Sequence, residues 1–232
     1  MNKILISTAT FNESKNIEIF LKKIISLKIK LDILVVDDNS PDGTSRKITK
    51  FKSKYKNIFL IKRSKKMGLD TAHKKIYQYA LNKRYDFLIT MDADLSHDPK
   101  IITKFLKYIK FYDFVTGSRY VKNGRNDLKG YRFFLSKYGN KFIRFMLGIN
   151  LNEFTTSYRC YNLRKLKGFH LNRVKAKGYS FFMNTIYLLN KMGHSIKEIP
   201  IIFHQRTQGK SKIPKIEILR TLIYVLWIKI KP

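Results

Sequence analysis

The chain has 232 residues, of which 44% are apolar and 14% aromatic, enough to bury a sizeable core and to exclude disorder by composition. Its 48 basic and 16 acidic residues leave a formal charge of +32, which suits nucleic acid, an anionic bilayer or a phosphorylated substrate. A Lys-, Ile- and Asn-rich composition of the kind an AT-biased genome produces gives the same surplus, so charge alone does not choose the partner; the lone Cys160 excludes a disulfide framework and a cysteine-built metal site.

The N-terminus, Met1-Asn2-Lys3, runs straight into a strand-like ILIST without a signal-peptide pattern. Strand-length apolar runs then recur at Ile4–Thr8, Ile33–Val36, Ile58–Ile61, Phe87–Met91 and Phe114–Thr116. Segments of helical length separate them. Ile17, Phe20, Leu21, Ile24 and Ile25 trace one helix face behind Ser14 as its cap, and Asp98-Pro99 opens another helix. Alternating β and α with near-continuous apolar strands predicts an α/β fold, a mostly parallel sheet with helices on both faces. Beyond Gly117 the rhythm changes. A Gly/Asn/Lys-rich loop, Val121–Gly130, precedes an amphipathic helix over Tyr131–Leu147. A mixed region leads to a helix at Phe181–Lys191, a strand at Ile196–Phe203, a polar loop at Gln205–Lys212 and a last helix at Lys215–Ile230. The longest uncharged apolar run, Thr221–Ile228, falls far short of the roughly 20 residues that span a bilayer. A cytosolic protein, soluble or at a membrane surface, is the expectation.

The scarce acids are the sharper signal. Six of the 16 sit in two windows just past strands: Asp37, Asp38 and Asp42, then Asp92, Asp94 and Asp98. In a parallel sheet the ends of successive strands share one edge, which brings these windows and Thr10–Glu13 together. Thr10-Phe11-Asn12-Glu13-Ser14 opens a helix, whose N–H groups suit a diphosphate, although any βα turn does the same. Asp42 or Ser40 serves equally well as a helix cap; a cap does not explain adjacent Asp37 and Asp38. In an extended D-x-D both carboxylates of Asp92 and Asp94 point one way and can share a hard divalent cation, stabilising a departing diphosphate. A bare D-x-D is more often a solvated turn, and its place at the end of the FLITM strand favours function. His97 lacks partners at zinc spacing. Arg119, Arg132 with Ser136 one turn on, and Arg206 with Lys212 suit phosphate binding through forked or point charges, against a background of ordinary surface charge. Cys160 reads as core.

The series ATFNE, VVDDNSPDGT, MDADLSHDP, GSRY and RTQGKSK, in this order and spacing from about Ile4 to Lys212, resembles the polyprenyl-phosphate (dolichyl-phosphate) mannosyltransferases of glycosyltransferase family 2. The resemblance implies a GT-A nucleotide-sugar-binding domain over residues 1–212, with 213–232 as an amphipathic helix, interfacial or docking, and a final core helix as the plainer reading. It implies inverting transfer of mannose from GDP-mannose to polyprenyl phosphate with magnesium or manganese. Thr10, Phe11, Glu13, Asp37 and Asp38 would line the nucleotide pocket. Asp92, Asp94 and Ser96 would serve the metal, and Asp92 and Asp94 with Arg119 the chemistry. Arg119, Arg132 and Ser136 would hold the acceptor phosphate, and Arg206 and Lys212 would sit in a loop that closes over the donor. A membrane surface and a small membrane-anchoring subunit are the implied partners, with the chain peripheral at the cytoplasmic face. Departures from the family pattern are Ala9 in place of Pro, Met67-Gly68-Leu69-Asp70 in place of G-L-G, Glu153–Arg159 as a variant of D-x-T-G-x-F-R, and Asn184 in place of Glu.

Three alternatives stand beside this one. The first is a family 2 enzyme using UDP-glucose or a related donor on polyprenyl phosphate or a glycan. The second is a degenerate member that binds nucleotide-sugar without turnover. The third, a basic nucleic-acid binder, has no recognisable signature, and its clustered acids would repel a phosphate backbone.

Overall fold

A computed structural model describes residues 2–206 and 216–230. Its central sheet has seven strands: β1 (Ile4–Thr10), β2 (Asp32–Asp37), β3 (Ile58–Lys62), β4 (Phe87–Thr90), β5 (Phe114–Ser118), β7 (Arg159–Asn162) and β8 (Ile196–Pro200). A separate two-stranded sheet pairs β6 (Arg125–Asn126) with β9 (Ile202–Phe203). The helices are α1 (Ile17–Ile25), α2 (Thr44–Lys54), α3 (Leu69–Asn82), α4 (Ile102–Tyr108), α5 (Tyr131–Leu147), α6 (Ser180–Lys191) and α7 (Ile216–Ile230).

Period-two alternation divides each central strand between two cores. Ile6, Ile33, Val35, Ile89 and Val115 meet α1, α2 and α4 on one face. Leu5, Leu34, Val36, Leu88 and Phe114 meet α3, α6 and α7 on the other. The order β3-β2-β1-β4-β7-β5-β8 turns back at β1, with β2 on one side and β4 on the other. A crevice forms where strand order reverses, and the carboxyl ends of these strands open into it. The windows around Thr10, Asp38 and Asp92 all stand there.

Several local expectations are corrected. Ser14 does not cap α1; Asn16 occupies the cap position without a side-chain capping bond, its amide donating instead to Glu13 Oε2 at 2.8 Å. Asp98 does cap, accepting from Lys100 N–H at 2.9 Å, but over a 3-10 turn, Pro99–Ile101, that leads into α4. The loop over Val121–Gly130 contains β6. The single strand expected over Ile196–Phe203 splits, because Pro200 has no N–H for the ladder. Ile201 then donates to the Ser118 carbonyl and accepts from Arg125 N–H, carrying the chain into the second sheet. The region before α6 contributes β7, antiparallel between β4 and β5. Cys160 is fully buried within it, as the pattern around it implies.

Candidate active site

Thr10 and Asp37 stand in register at the ends of β1 and β2. The Asp37 carboxylate accepts from Thr10 Oγ1 at 2.8 Å, Ser40 Oγ at 2.6 Å, Ser40 N–H at 3.0 Å and Ser45 Oγ at 2.6 Å. It is fully buried behind the cavity wall, not in the pocket where the sequence placed it, because these four donors draw both oxygens into the β2–α2 turn. Asp42 accepts from Thr44 N–H at 3.0 Å and Ser14 N–H at 2.9 Å, so it serves the start of α2 and ties the first two loops together. Burial pushes its carboxyl up, and the bonds from Thr44 and Ser14 outweigh that and hold it below the usual range. Asp38 faces the cavity with Thr10, Phe11 and Glu13. Its carboxylate is paired with Arg63, a residue the sequence reading did not single out. The Phe11 ring lies 4.6 Å beneath Lys66 Nζ.

Asp92 lies just past β4 and Asp94 in a bend over Ala93–Leu95, where Leu95 adopts a left-handed φ of 65°. Both carboxylates line the cavity. Asp92 Oδ1 accepts from Ser157 Oγ at 2.6 Å; Asp94 Oδ1 accepts from Ser96 Oγ at 2.5 Å and Ser96 N–H at 3.0 Å. Ser96 is itself buried and does not reach the cavity, so it orients Asp94 instead of facing a metal as expected. Arg206 Nε stands 2.5 Å from Asp94 Oδ2 and Arg206 Nη1 3.8 Å from Glu13 Oε1. Lys212, expected beside Arg206, lies outside the described residues.

Burial and the neighbouring Asp94 push the Asp92 carboxyl up against the opposing pull of His97 and Ser157. For Asp94, burial acts upward, but Arg206 and the Ser96 bonds prevail and hold it low. Burial likewise depresses the His97 imidazole despite both carboxylates. His97 Nδ1 accepts the Asp92 N–H at 3.2 Å, so that nitrogen is turned to the backbone. The accessible donor set is therefore two neighbouring carboxylates with like charges, one disfavoured as an anion by the other. Hard carboxylate oxygens fit magnesium or manganese better than zinc, and a cation there would compete with Arg206 for Asp94.

Basic side chains line the same cavity. Arg119 ends the Gly117-Ser118-Arg119 segment, where close packing demands glycine. A Cβ on Gly117 would stand 2.8 Å from Ile201 Cγ2, and one on Gly124 would stand 2.6 Å from the Ser118 carbonyl oxygen. Arg119 donates Nε–H to Glu153 Oε2 at 2.6 Å and Nη2–H to Glu153 Oε1 at 2.8 Å, with Thr155 Oγ1 accepting a further bond at 2.9 Å. Burial pushes the Glu153 carboxyl up; Arg119 and Thr155 overcome this and keep it below its ordinary value. Arg132 and Ser136, on the first turns of α5, face the same cavity, with Ser136 Oγ accepting from Tyr120 Oη at 2.7 Å. Asn140 fastens α5 to the 153–157 loop, taking Phe154 N–H at 2.7 Å.

The structure thus joins Thr10, Phe11, Glu13, Asp38, Asp92, Asp94, Arg119, Arg132, Ser136 and Arg206 in one cavity of about 980 Å3, lined also by Tyr179 just before α6, Phe182 of α6 and Leu222 of α7. Arg63 is not singled out by the sequence, and Glu153 and Ser157 stand out there only as part of the variant Glu153–Arg159 segment, without a role. Scarcity of acid was the available signal for Glu153, one of only 16 in the chain.

The sequence profile described as glycosyl transferase family 2 matches residues 6–169. The chain is 32% identical over 212 residues to an undecaprenyl-phosphate mannosyltransferase of Micrococcus luteus, covering 91% of this chain and 87% of the relative. It is also 32% identical over 214 residues to a polyprenol monophosphomannose synthase of Mycolicibacterium smegmatis, covering 91% and 81%. Among solved structures, glucosyl-3-phosphoglycerate synthase from Mycobacterium tuberculosis in complex with UDP superposes with a TM-score of 0.66 at 15% identity, over 98% of this chain and 80% of that one. Mannosyltransferase PcManGT from Pyrobaculum calidifontis in complex with GDP-Man and Mn2+ superposes with a TM-score of 0.62 at 18% identity, over 99% and 64%. The fold is therefore the GT-A arrangement that the motifs imply.

Proposed function

Since the chain belongs to glycosyltransferase family 2, we propose that it transfers mannose from GDP-mannose to the phosphate of a membrane polyprenol, with inversion at the anomeric carbon. The observation that carries this reading is that Asp38, Asp92 and Asp94 line the same cavity as Arg119, Arg132 and Ser136, which suits a nucleotide-sugar meeting a phosphate acceptor. The 32% identity to two enzymes named for polyprenyl-phosphate mannosyl transfer supports the choice of sugar and acceptor.

A phosphate monoester has a second pKa of about 6 and is largely dianionic at neutral pH. The acceptor oxygen is already a nucleophile and needs no general base. What the protein supplies is in-line positioning and neutralisation of charge. Arg119, locked by Glu153, and Arg132 would present forked donors to the acceptor phosphate, with Ser136 adding a hydroxyl. Thr10, Phe11, Glu13 and Asp38 would seat the nucleoside, and Arg206 and Lys212 would close over the diphosphate. Asp92 and Asp94 would hold a divalent cation, which supplies charge compensation at the leaving diphosphate.

Residues 1–212 form the catalytic domain in this reading, and 213–232 the part nearest the membrane. No helix among the described residues is long and apolar enough to cross a bilayer. Val225 and Ile228 of α7 are buried in the core, whereas Ile223, Trp227 and Ile230 are exposed, as are Phe134, Tyr138 and Phe145 of α5, the helix that packs on α7. Ile218 falls where side chains lie outside the described residues. This apolar surface supports peripheral membrane contact at the cytoplasmic face, directly or through a small anchoring subunit.

The test is transfer of labelled sugar from GDP-mannose to a phosphorylated polyprenol in detergent, with and without magnesium or manganese. Acid-labile lipid product requiring the metal is the expected result. Product from UDP-glucose alone would overturn the donor. Salt-sensitive DNA binding indifferent to Asp92 and Asp94, with no product, would favour the nucleic-acid reading.

A further inference from the structure

Arg119 also lines a second cavity of about 430 Å3 between the β5–β6 loop and α5, which neither Asp92 nor Asp94 lines. Five cationic side chains line it: Arg119 and Arg125 from the loop, and Lys137, Lys141 and Arg144 from α5. No carboxylate among the described residues lines it. The charges of Arg119 and Arg125 are met from outside the cavity, by Glu153 at 2.6 Å and Asp127 at 2.7 Å. Lys137, Lys141 and Arg144 have no such partner among the described residues. The ammonium groups of Lys137 and Lys141 each lie 5.6 Å from an aromatic ring, of Phe133 and Tyr138 respectively. Arg144 donates to the neutral amide oxygens of Asn152, at 2.6 Å, and Asn150.

Positions 137, 141 and 144 are spaced i, i+4, i+7, so three uncompensated cations share one face of α5 and converge on one concavity. Like charges at this spacing repel, and an anion in the cavity would relieve them. A uniformly basic surface does not predict this convergence. The neighbouring face of the same helix carries Phe134, Tyr138 and Phe145, exposed by 56%, 56% and 82%. An apolar ridge flanked by a basic hollow matches the boundary between acyl chains and anionic headgroups.

We propose that this second cavity binds the phosphate of an anionic phospholipid headgroup, separately from the acceptor phosphate in the larger cavity. The inference rests on the membrane-surface reading above. It would hold α5 against the bilayer and keep Arg132 and Ser136 at the level where a polyprenyl phosphate arrives.

The test is co-sedimentation of the full chain with phosphatidylcholine vesicles with and without phosphatidylglycerol. It compares the wild type, Lys137→Gln/Lys141→Gln, and the charge-matched control Lys104→Gln/Lys107→Gln on the exposed face of α4. Thermal midpoints check that both pairs fold. Binding to phosphatidylglycerol vesicles should fall about tenfold or more in the α5 pair and far less in the control. Equal loss in both pairs would reduce the effect to bulk charge and overturn the site, as would undiminished binding in the α5 pair. Inorganic pyrophosphate titrated calorimetrically separates the sources: binding that needs Lys137 and Lys141 without any phosphatidylglycerol dependence would overturn the lipid assignment. Vesicle binding is read without donor or acceptor, so a failure of mannosyl transfer leaves this outcome independent.

Discussion

Arg119 and Glu153, 34 residues apart, form a two-pronged ion pair within the protein, with both nitrogen–oxygen distances under 3 Å and the Glu153 carboxylate fully buried. Removing one partner of such a pair leaves an uncompensated charge in a dry setting. Glu153→Gln should therefore cost about 3 kcal/mol of stability at neutral pH and lower transfer by misplacing Arg119. The pH dependence has a defined sign. Arg119 holds the folded-state pKa of Glu153 below its unfolded value, so the pair's contribution is complete above the unfolded pKa and is lost as pH falls through the folded one. Urea unfolding from pH 7 down to 3 should show a flatter acid limb in Glu153→Gln than in the wild type.

Asp94 should separate chemistry from folding. Its carboxylate is held by Ser96 and Arg206 at the cavity wall, and Asp94→Ala removes charge where, in the proposed reaction, the diphosphate would leave. A loss of about 10²- to 10³-fold in kcat is expected, with a circular-dichroism spectrum like that of the wild type. Ser96→Ala, which only frees the Asp94 carboxylate to rotate, should lose less.

Asp37 should behave in the opposite way. Four donors converge on its buried carboxylate, and Asp37→Ala leaves them without an acceptor. Destabilisation of about 2–3 kcal/mol follows, a fall in Tm of roughly 4–12 °C for a domain of this size, measurable by scanning calorimetry. A variant with wild-type Tm and weakened nucleotide binding would return Asp37 to the pocket.

His73 on α3 is buried between Phe181 and Phe182, and burial, with Arg159 adding to it, lowers its pKa to about 3. The unfolded chain takes up a proton near pH 6.5 that the folded chain refuses, so stability falls as pH drops below 6.5 and continues to fall toward 3. At pH 5 this group alone costs about 2 kcal/mol relative to pH 7. His73→Leu should remove that slope, visible as a smaller difference between urea midpoints at pH 7 and pH 5.

Much of this molecule was written locally. Strand runs such as Ile33–Val36 and the helix over Tyr131–Leu147 follow from side-chain periodicity, which depends only on near neighbours, and the helix bounds agree with α5. Because parallel strands deliver their ends to one edge, the sequence also determined that Asp38, Asp92 and Asp94 would share a site. Tertiary packing decided the rest. Arg159–Asn162, with Arg and Asn at its ends, offers no apolar run to declare itself a strand, and it becomes β7 by pairing antiparallel with both β4 and β5. Asp37 and Asp38 are adjacent acids with the same local signal, yet one is consumed by Ser40 and Ser45 while the other faces the cavity with Arg63, since successive residues at a strand end point to opposite sides. Glu153 finds Arg119 only once β5, α5 and the 153–157 loop are packed. Periodicity records which side of an element is buried, and charge pairing across a fold is set by which buried sides meet.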